Sequence, residues 1–141
     1  MTEKIAILPA YNLADSIGCI VRRTKEFVDV VIVVADGSRD DTRENARAAG
    51  AVCPPYDSGR GKGRALRKGI EFSRQFDPRY IILMDSDGQH LPEEIPVVLE
   101  HIKDADMVVG SRMKGVLKTS EINKIGNFFL KVISFAMTGR W

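Results

Sequence analysis

The stretch Tyr80-Ile81-Ile82-Leu83-Met84-Asp85-Ser86-Asp87-Gly88 runs from five consecutive apolar residues straight into two acids and a glycine. A near-continuous run of this kind, without polar alternation, suits a parallel strand covered on both faces. Asp87-Gly88 is a good turn pair to end it. The same order recurs upstream, in Ile5-Ala6-Ile7-Leu8 closed by Pro9 and in the run over 28–34 closed by Ala35-Asp36-Gly37. Downstream, Asp106-Met107-Val108-Val109 reads as a fourth strand ending at Gly110-Ser111-Arg112.

Between these runs the periodicity predicts helices over 13–27, 40–49, 63–75 and 92–103. Ser38 followed three residues later by Asp41 predicts a capping box for the second. Pro92 suits the first turn of the fourth, and Glu93 and Glu94 favour its positive end. A short strand near 51–53 fits before Pro54-Pro55 turns the chain away. Strand and helix in alternation predict an α/β fold with a mostly parallel sheet.

The chain has 141 residues, enough for one modest domain, 1–141. It is 44% apolar and 28% charged, so a core is expected and global disorder is not. A net charge of +2 excludes a strongly basic nucleic-acid module and an acidic tail protein. Cys19 and Cys53 are too few for a disulfide scaffold and have no histidine near them in sequence, so neither is assigned a role. The N-terminal apolar run is too short for a signal peptide, and no stretch approaches the ~20 apolar residues of a membrane span. These features predict a cytoplasmic protein. A broad apolar stripe over 121–137 predicts a helix that meets a core, a second copy of the chain or a membrane surface.

In an open α/β sheet, ligands bind beyond the carboxyl ends of the strands. The polar clusters of this sequence fall there. Asp85 and Asp87, two residues apart at a strand exit, offer hard oxygens suited to Mg²⁺ or Mn²⁺, and Gln89 adds a neutral oxygen. Turn and helix-start acids are the plainer explanation of the same pattern. Gly59-Arg60-Gly61-Lys62-Gly63-Arg64 joins three glycines and three cations ahead of a helix, an arrangement suited to phosphate. It matches neither a Walker loop nor the dinucleotide GxGxxG. Asp36 is placed to accept from a ribose hydroxyl or a base N–H, Tyr11 to stack on a base or cover the sheet edge, and Arg112 to clamp a phosphate. Together these residues describe a nucleoside diphosphate site with a carboxylate-held metal.

Pro9-Ala10-Tyr11-Asn12, Ala35-Asp36-Gly37-Ser38, Gly61-Lys62-Gly63-Arg64-Ala65-Leu66, Asp85-Ser86-Asp87-Gly88-Gln89-His90 and Gly110-Ser111-Arg112 occur in that order. The set resembles family 2 glycosyltransferases, and within them the dolichol-phosphate (polyprenyl-phosphate) mannosyltransferase-like branch. The resemblance implies a Rossmann-like, mostly parallel sheet flanked by helices, the nucleotide-diphospho-sugar transferase fold of GT-A type. It implies an inverting transferase that takes a sugar from a GDP-mannose- or UDP-glucose-type donor. By position, Pro9, Tyr11, Asp36 and Lys62 line the nucleotide pocket. Asp85 lies near nucleotide and metal, Asp87 and Gln89 hold Mg²⁺ or Mn²⁺, and Arg112 meets the phosphates. Asp87 and Arg112 carry the catalytic roles. The acceptor in that branch is a lipid phosphate, which implies a peripheral position at the cytoplasmic membrane face.

Two departures stand out. Leu13 occupies a position that is usually acidic in the family, and Ala35 another. Thr138-Gly139-Arg140-Trp141 ends about where a further strand and an acceptor-side motif are expected, so the fold is predicted incomplete at its C-terminal side. A shortened chain of this kind is expected to keep donor and metal binding with weak or absent turnover, and to associate through 121–137. Three other readings compete: a non-catalytic nucleotide-sugar-binding module, a sugar nucleotidyltransferase, and a soluble α/β domain with a fortuitous loop set.

Overall fold

The computed structural model describes residues 3–88, 90–102 and 105–110. Met1–Val108 forms one compact unit and Val109–Trp141 a second, and the architecture below is that of the first. The predicted helix over 121–137 lies outside the described residues.

Three strands, β1 (Lys4–Pro9), β2 (Val30–Val34) and β3 (Tyr80–Leu83), form a parallel sheet in the order β2-β1-β3. Ile7 of β1 sits opposite Ile32 of β2 and Leu83 of β3. The expected strand at 51–53 contracts to a single parallel bridge. Val52 accepts from the Val33 N–H at 3.0 Å and donates to the Val31 carbonyl at 2.8 Å, extending the sheet beyond β2. Four helices complete the unit: α1 (Ala14–Thr24), α2 (Thr42–Ala48), α3 (Lys62–Ser73) and α4 (Ile95–His101). Pro92–Glu94 is a 3₁₀ turn leading into α4.

Alternation along the strands sends side chains to two separate cores. Ala6, Leu8, Val31 and Val33 pack with Ile17 and Val21 of α1, Ala46 of α2 and Ile95 of α4. Ile5, Ile7, Ile32 and Val34 meet Ala65, Leu66 and Ile70 of α3 on the opposite face. Both faces of β1 and β2 are therefore buried, which accounts for the absence of polar alternation in their sequences. A fully buried aliphatic side chain of this size contributes ~1.5–3 kcal/mol by leaving water. The strand pair, sealed on both sides, is accordingly the most strongly held part of the unit.

Strand β3 departs from the both-faces expectation. Register places Ile81 and Leu83 on the same face as Ile5 and Ile7, yet they are 40% and 49% exposed. Helix α3 lies over β1 and β2 and leaves that face of β3 open. Helix α3 comes close because Gly69 has no side chain. A Cβ there would overlap Cγ2 of Ile7 and sit 3.3 Å from Cγ2 of Val34.

Two further sequence expectations need correction. Asp106-Met107-Val108-Val109 is not a strand, and among the described residues the sheet ends at β3. Met107 and Val109 are about three-quarters exposed. Two apolar residues that bury so little surface do not offset the entropy of ordering an extended segment.

The Ser38–Asp41 capping box is also absent. Asp41 is itself the residue before α2 and makes no side-chain cap, and the Ser38 hydroxyl accepts instead from the Asn12 N–H at 3.2 Å. Asp40 takes over the helix start. Its Oδ1 accepts from the Thr42 hydroxyl at 2.5 Å and the Thr42 N–H at 3.2 Å, while Oδ2 accepts from the Ala14 N–H at 3.1 Å. One carboxylate thus serves the first turns of both α1 and α2.

The Thr42 hydroxyl, reinforced by the Ala14 and Thr42 N–H groups, holds Asp40 below the ordinary carboxylate range. The Lys4 and Glu3 N–H groups do the same for Asp29, which receives both at 2.8 Å. A folded-state pKa below the unfolded value makes each contribution fully present above the unfolded pKa, about 3.9, and lost as pH falls through the folded one. The urea midpoint is therefore expected to fall from pH 6 to pH 3. Asp40→Asn should lower the midpoint at pH 6 and flatten its acid dependence, and an unchanged acid slope would contradict the double-capping role.

Candidate functional site

The carboxyl ends of β1, β2 and β3 open onto a cavity of about 490 Å³. Pro9, Tyr11, Asp36, Lys62, Asp85 and Asp87 all line it, so the loop residues singled out in the sequence converge on one space. Gln89 and Arg112 lie outside the described residues.

Parallel strands explain the convergence, since their carboxyl ends share one edge of the sheet. The loops are then laced together. The buried Ser86 hydroxyl donates to the Pro9 carbonyl at 2.5 Å, tying the β3 exit to the β1 exit. Asn12 adopts a left-handed φ of 51° and accepts from the Arg39 N–H at 3.0 Å, tying the β1 exit to the loop after β2. Leu13 packs against the core and borders the cavity.

Asp36 follows β2 by two residues, with its side chain almost completely buried at 4% exposure. Its Oδ1 accepts from the Asp57 N–H at 3.1 Å and its Oδ2 from Lys68 Nζ at 2.6 Å. Lys68 also donates to the Pro55 carbonyl at 2.5 Å. Next in sequence, Gly37 has φ +74°, and a Cβ there would lie 2.7 Å from Cγ of Arg60. The Arg60 guanidinium in turn stands 5.4 Å from the ring centroid of the half-exposed Tyr11, a cation–π distance. Asp57 accepts from the Gly59 N–H at 3.0 Å and pairs with Arg64. The Gly59 N–H and then the Arg64 guanidinium hold the Asp57 carboxyl low.

Lys62 opens α3 and pairs with Asp85 Oδ1 at 2.6 Å. The Asp85 N–H donates to His90 Nδ1 at 2.9 Å. His90 therefore closes the Asp85–His90 loop upon itself.

Sequence reasoning missed Lys68 and Asp57 as parts of this edge. The available signal was the i, i+4 spacing of Arg64 and Lys68, which puts two cations on one face of α3. Nothing in the local sequence pairs Lys68 with Asp36, 32 residues away.

The chemistry of the acids suits a hard divalent cation. Asp85 and Asp87 supply carboxylate oxygens from one short loop, and Asp85 already accepts an ammonium. Among the described residues no three His, Cys, Asp or Glu groups cluster to make a closed protein cage. An ion bound through one or two carboxylates and completed by substrate phosphates fits this donor set.

Comparison with known proteins gives the class. Residues 5–140 match the model of glycosyl transferase family 2, and the chain belongs to that family. Its mixed α/β, Rossmann-like architecture is the fold of the GT-A type. The chain is 36% identical to an uncharacterized protein of Methanocaldococcus jannaschii, over 97% of this chain and 59% of the relative. It is 32% identical to the undecaprenyl-phosphate mannosyltransferase of Micrococcus luteus, over 77% of this chain and 47% of that protein. The chain thus spans about half of the length of the curated relatives it matches. The glucosyl-3-phosphoglycerate synthase of Mycobacterium tuberculosis, crystallised with Mn²⁺, uridine diphosphate and phosphoglyceric acid, superposes with a TM-score of 0.59. That match covers 74% of this chain and 40% of the synthase at 24% identity, a likeness of fold.

Proposed function

We propose that the cavity binds a nucleotide-activated sugar of the GDP-mannose or UDP-glucose type. The sugar is then transferred to a polyprenyl or dolichyl phosphate at the membrane face. The observation that carries this reading is the convergence of Pro9, Tyr11, Asp36, Lys62, Asp85 and Asp87 on one space at the sheet's carboxyl edge. Family membership and the polyprenyl-phosphate transferases among the relatives support the choice of chemistry and acceptor.

In this reading Asp36 accepts from base or ribose, and Pro9 and Tyr11 border the nucleoside. Lys62, with Arg112, faces the diphosphate. Asp85, Asp87 and Gln89 hold Mg²⁺ or Mn²⁺, which when bound offsets charge on the departing diphosphate. The acceptor needs no dedicated base. A phosphate monoester has its second pKa near ~6 and is largely dianionic at neutral pH. Its oxygen forms a bond to the anomeric carbon as the anomeric carbon–diphosphate bond breaks, and the nucleoside diphosphate leaves. Attack opposite the leaving group inverts the anomeric centre.

Leu13 favours a second reading, a nucleotide-sugar-binding module without turnover, because an apolar side chain lines the cavity where the resemblance implies an acid. Calorimetric titration of this chain with GDP-mannose and UDP-glucose, each with and without Mn²⁺, tests the shared core of both readings. Binding strengthened by Mn²⁺ for one donor is the expected result. Absence of binding to either donor overturns the assignment of the cavity. Sugar transfer to a polyprenyl phosphate separates the enzyme from the module.

A further inference from the structure

Lys68 stands out because neither the family motifs nor the proposed chemistry gives it a part, although it joins three segments of the site. It rises from α3, contacts the carboxylate at the end of β2 and holds a carbonyl of the segment after Val52. Resting on the donor-site reading above, we infer that Lys68 is the positioning residue for nucleobase recognition, fixing the orientation of Asp36.

The argument begins with burial. The Asp36 side chain is 4% exposed and that of Lys68 is 22% exposed, so little water reaches their contact at 2.6 Å. An ionised carboxylate taken out of water is costly unless it is paired and hydrogen-bonded. Lys68 supplies the charge, and the Asp57 N–H supplies the second bond at 3.1 Å.

Geometry adds the second part. A carboxylate pinned at both oxygens cannot rotate freely about its terminal torsion, and two acceptor positions of its roughly four remain for a ligand. Asp36 lines the cavity, so those positions belong to the surface that meets a nucleoside. The second Lys68 bond, to the Pro55 carbonyl, fixes the ammonium itself. Pro54-Pro55 therefore does more than turn the chain, since it presents the carbonyl that seats Lys68.

Lys62 and Lys68 consequently divide the work along α3. Lys62 sits at the helix start beside Asp85, on the metal and phosphate side. Lys68, nearly two turns further along, sits beside Asp36 on the base side. Loss of one should spare the ligand contacts of the other.

That separation supplies the test. Lys68→Met keeps length and apolar volume while deleting the charge, and Lys68→Arg keeps the charge. The full chain and both variants are titrated with UDP, GDP and inorganic pyrophosphate, all with Mn²⁺, and thermal midpoints are recorded alongside. Lys68→Met is expected to weaken whichever nucleoside diphosphate the unaltered chain prefers by tenfold or more. Pyrophosphate affinity should stay within twofold, and Lys68→Arg should recover part of the loss. Unchanged nucleotide affinity in Lys68→Met overturns the inference, as does an equal loss for nucleotide and pyrophosphate. If the unaltered chain binds neither UDP nor GDP, the donor-site reading itself falls and the inference falls with it.

Discussion

Gly69→Ala is expected to destabilise the protein by about 1–3 kcal/mol, although alanine is the better helix former by about 1 kcal/mol. Gly69 lies in the middle of α3, where backbone propensity alone favours replacement. Packing decides the opposite sign. The added methyl would overlap Cγ2 of Ile7, a β-branched side chain on the central strand that has little χ1 freedom to yield. Cγ2 of Val34 at 3.3 Å closes the alternative direction. Helix α3 must then lift off the sheet, uncovering Ile5, Ile7, Ile32 and Val34 together. Gly69→Leu should cost more and leave little folded protein.

The cause can be separated from a general intolerance of substitution. Ile7→Ala alone should cost about 2–5 kcal/mol, because Ile7 is fully buried. It also removes the atom that obstructs Gly69→Ala. The two changes should be strongly non-additive, with the double variant close to Ile7→Ala alone. Urea midpoints at constant m-value measure the cycle. A Gly69→Ala protein as stable as the parent would show that α3 does not rest on Ile7 as described.

Much of this architecture is legible in the chain because the strands declare themselves through burial. The unbroken apolar runs Ile5-Ala6-Ile7-Leu8 and Val31-Ile32-Val33-Val34 reflect sheet positions covered on both faces, which a sequence can report locally. Tyr80-Ile81-Ile82-Leu83 carries the same signal although one of its faces is open, because coverage is decided by where α3 lands. The start of α2 escapes local reading for a related reason. Ser38 and Asp41 have capping chemistry at the right spacing, but Ser38 is engaged by Asn12 from another loop, and Asp40 meets Thr42 and Ala14 instead. Convergence of Pro9, Asp36 and Asp85 follows from parallel topology and needs no side-chain detail. The partners of those residues do need it. Lys68 reaches Asp36 across 32 positions, and no local pattern encodes that distance.

Asp87→Ala should abolish the Mn²⁺ enhancement of donor binding, a loss of about a hundredfold or more. Outer-shell partners of bound metals already carry about 10–100-fold in affinity, so a direct carboxylate ligand is expected to carry at least the upper figure. Asp87 is exposed on its loop, and urea midpoints recorded alongside separate a loss of binding from a loss of fold. Asp85→Asn makes the sharper comparison, because Asp85 also holds Lys62 at 2.6 Å. Without Mn²⁺, removing that negative charge releases the Lys62 ammonium toward an anionic diphosphate, and nucleotide affinity should rise severalfold. With Mn²⁺ present, the same variant loses a carboxylate beside the ion, and affinity should fall. Opposite signs under the two conditions are the signature of a carboxylate that serves both the cation and Lys62. A fall under both conditions would mean that Asp85 acts by holding the loop, and Mn²⁺ enhancement retained in Asp87→Ala would remove the acids at this strand exit from metal binding.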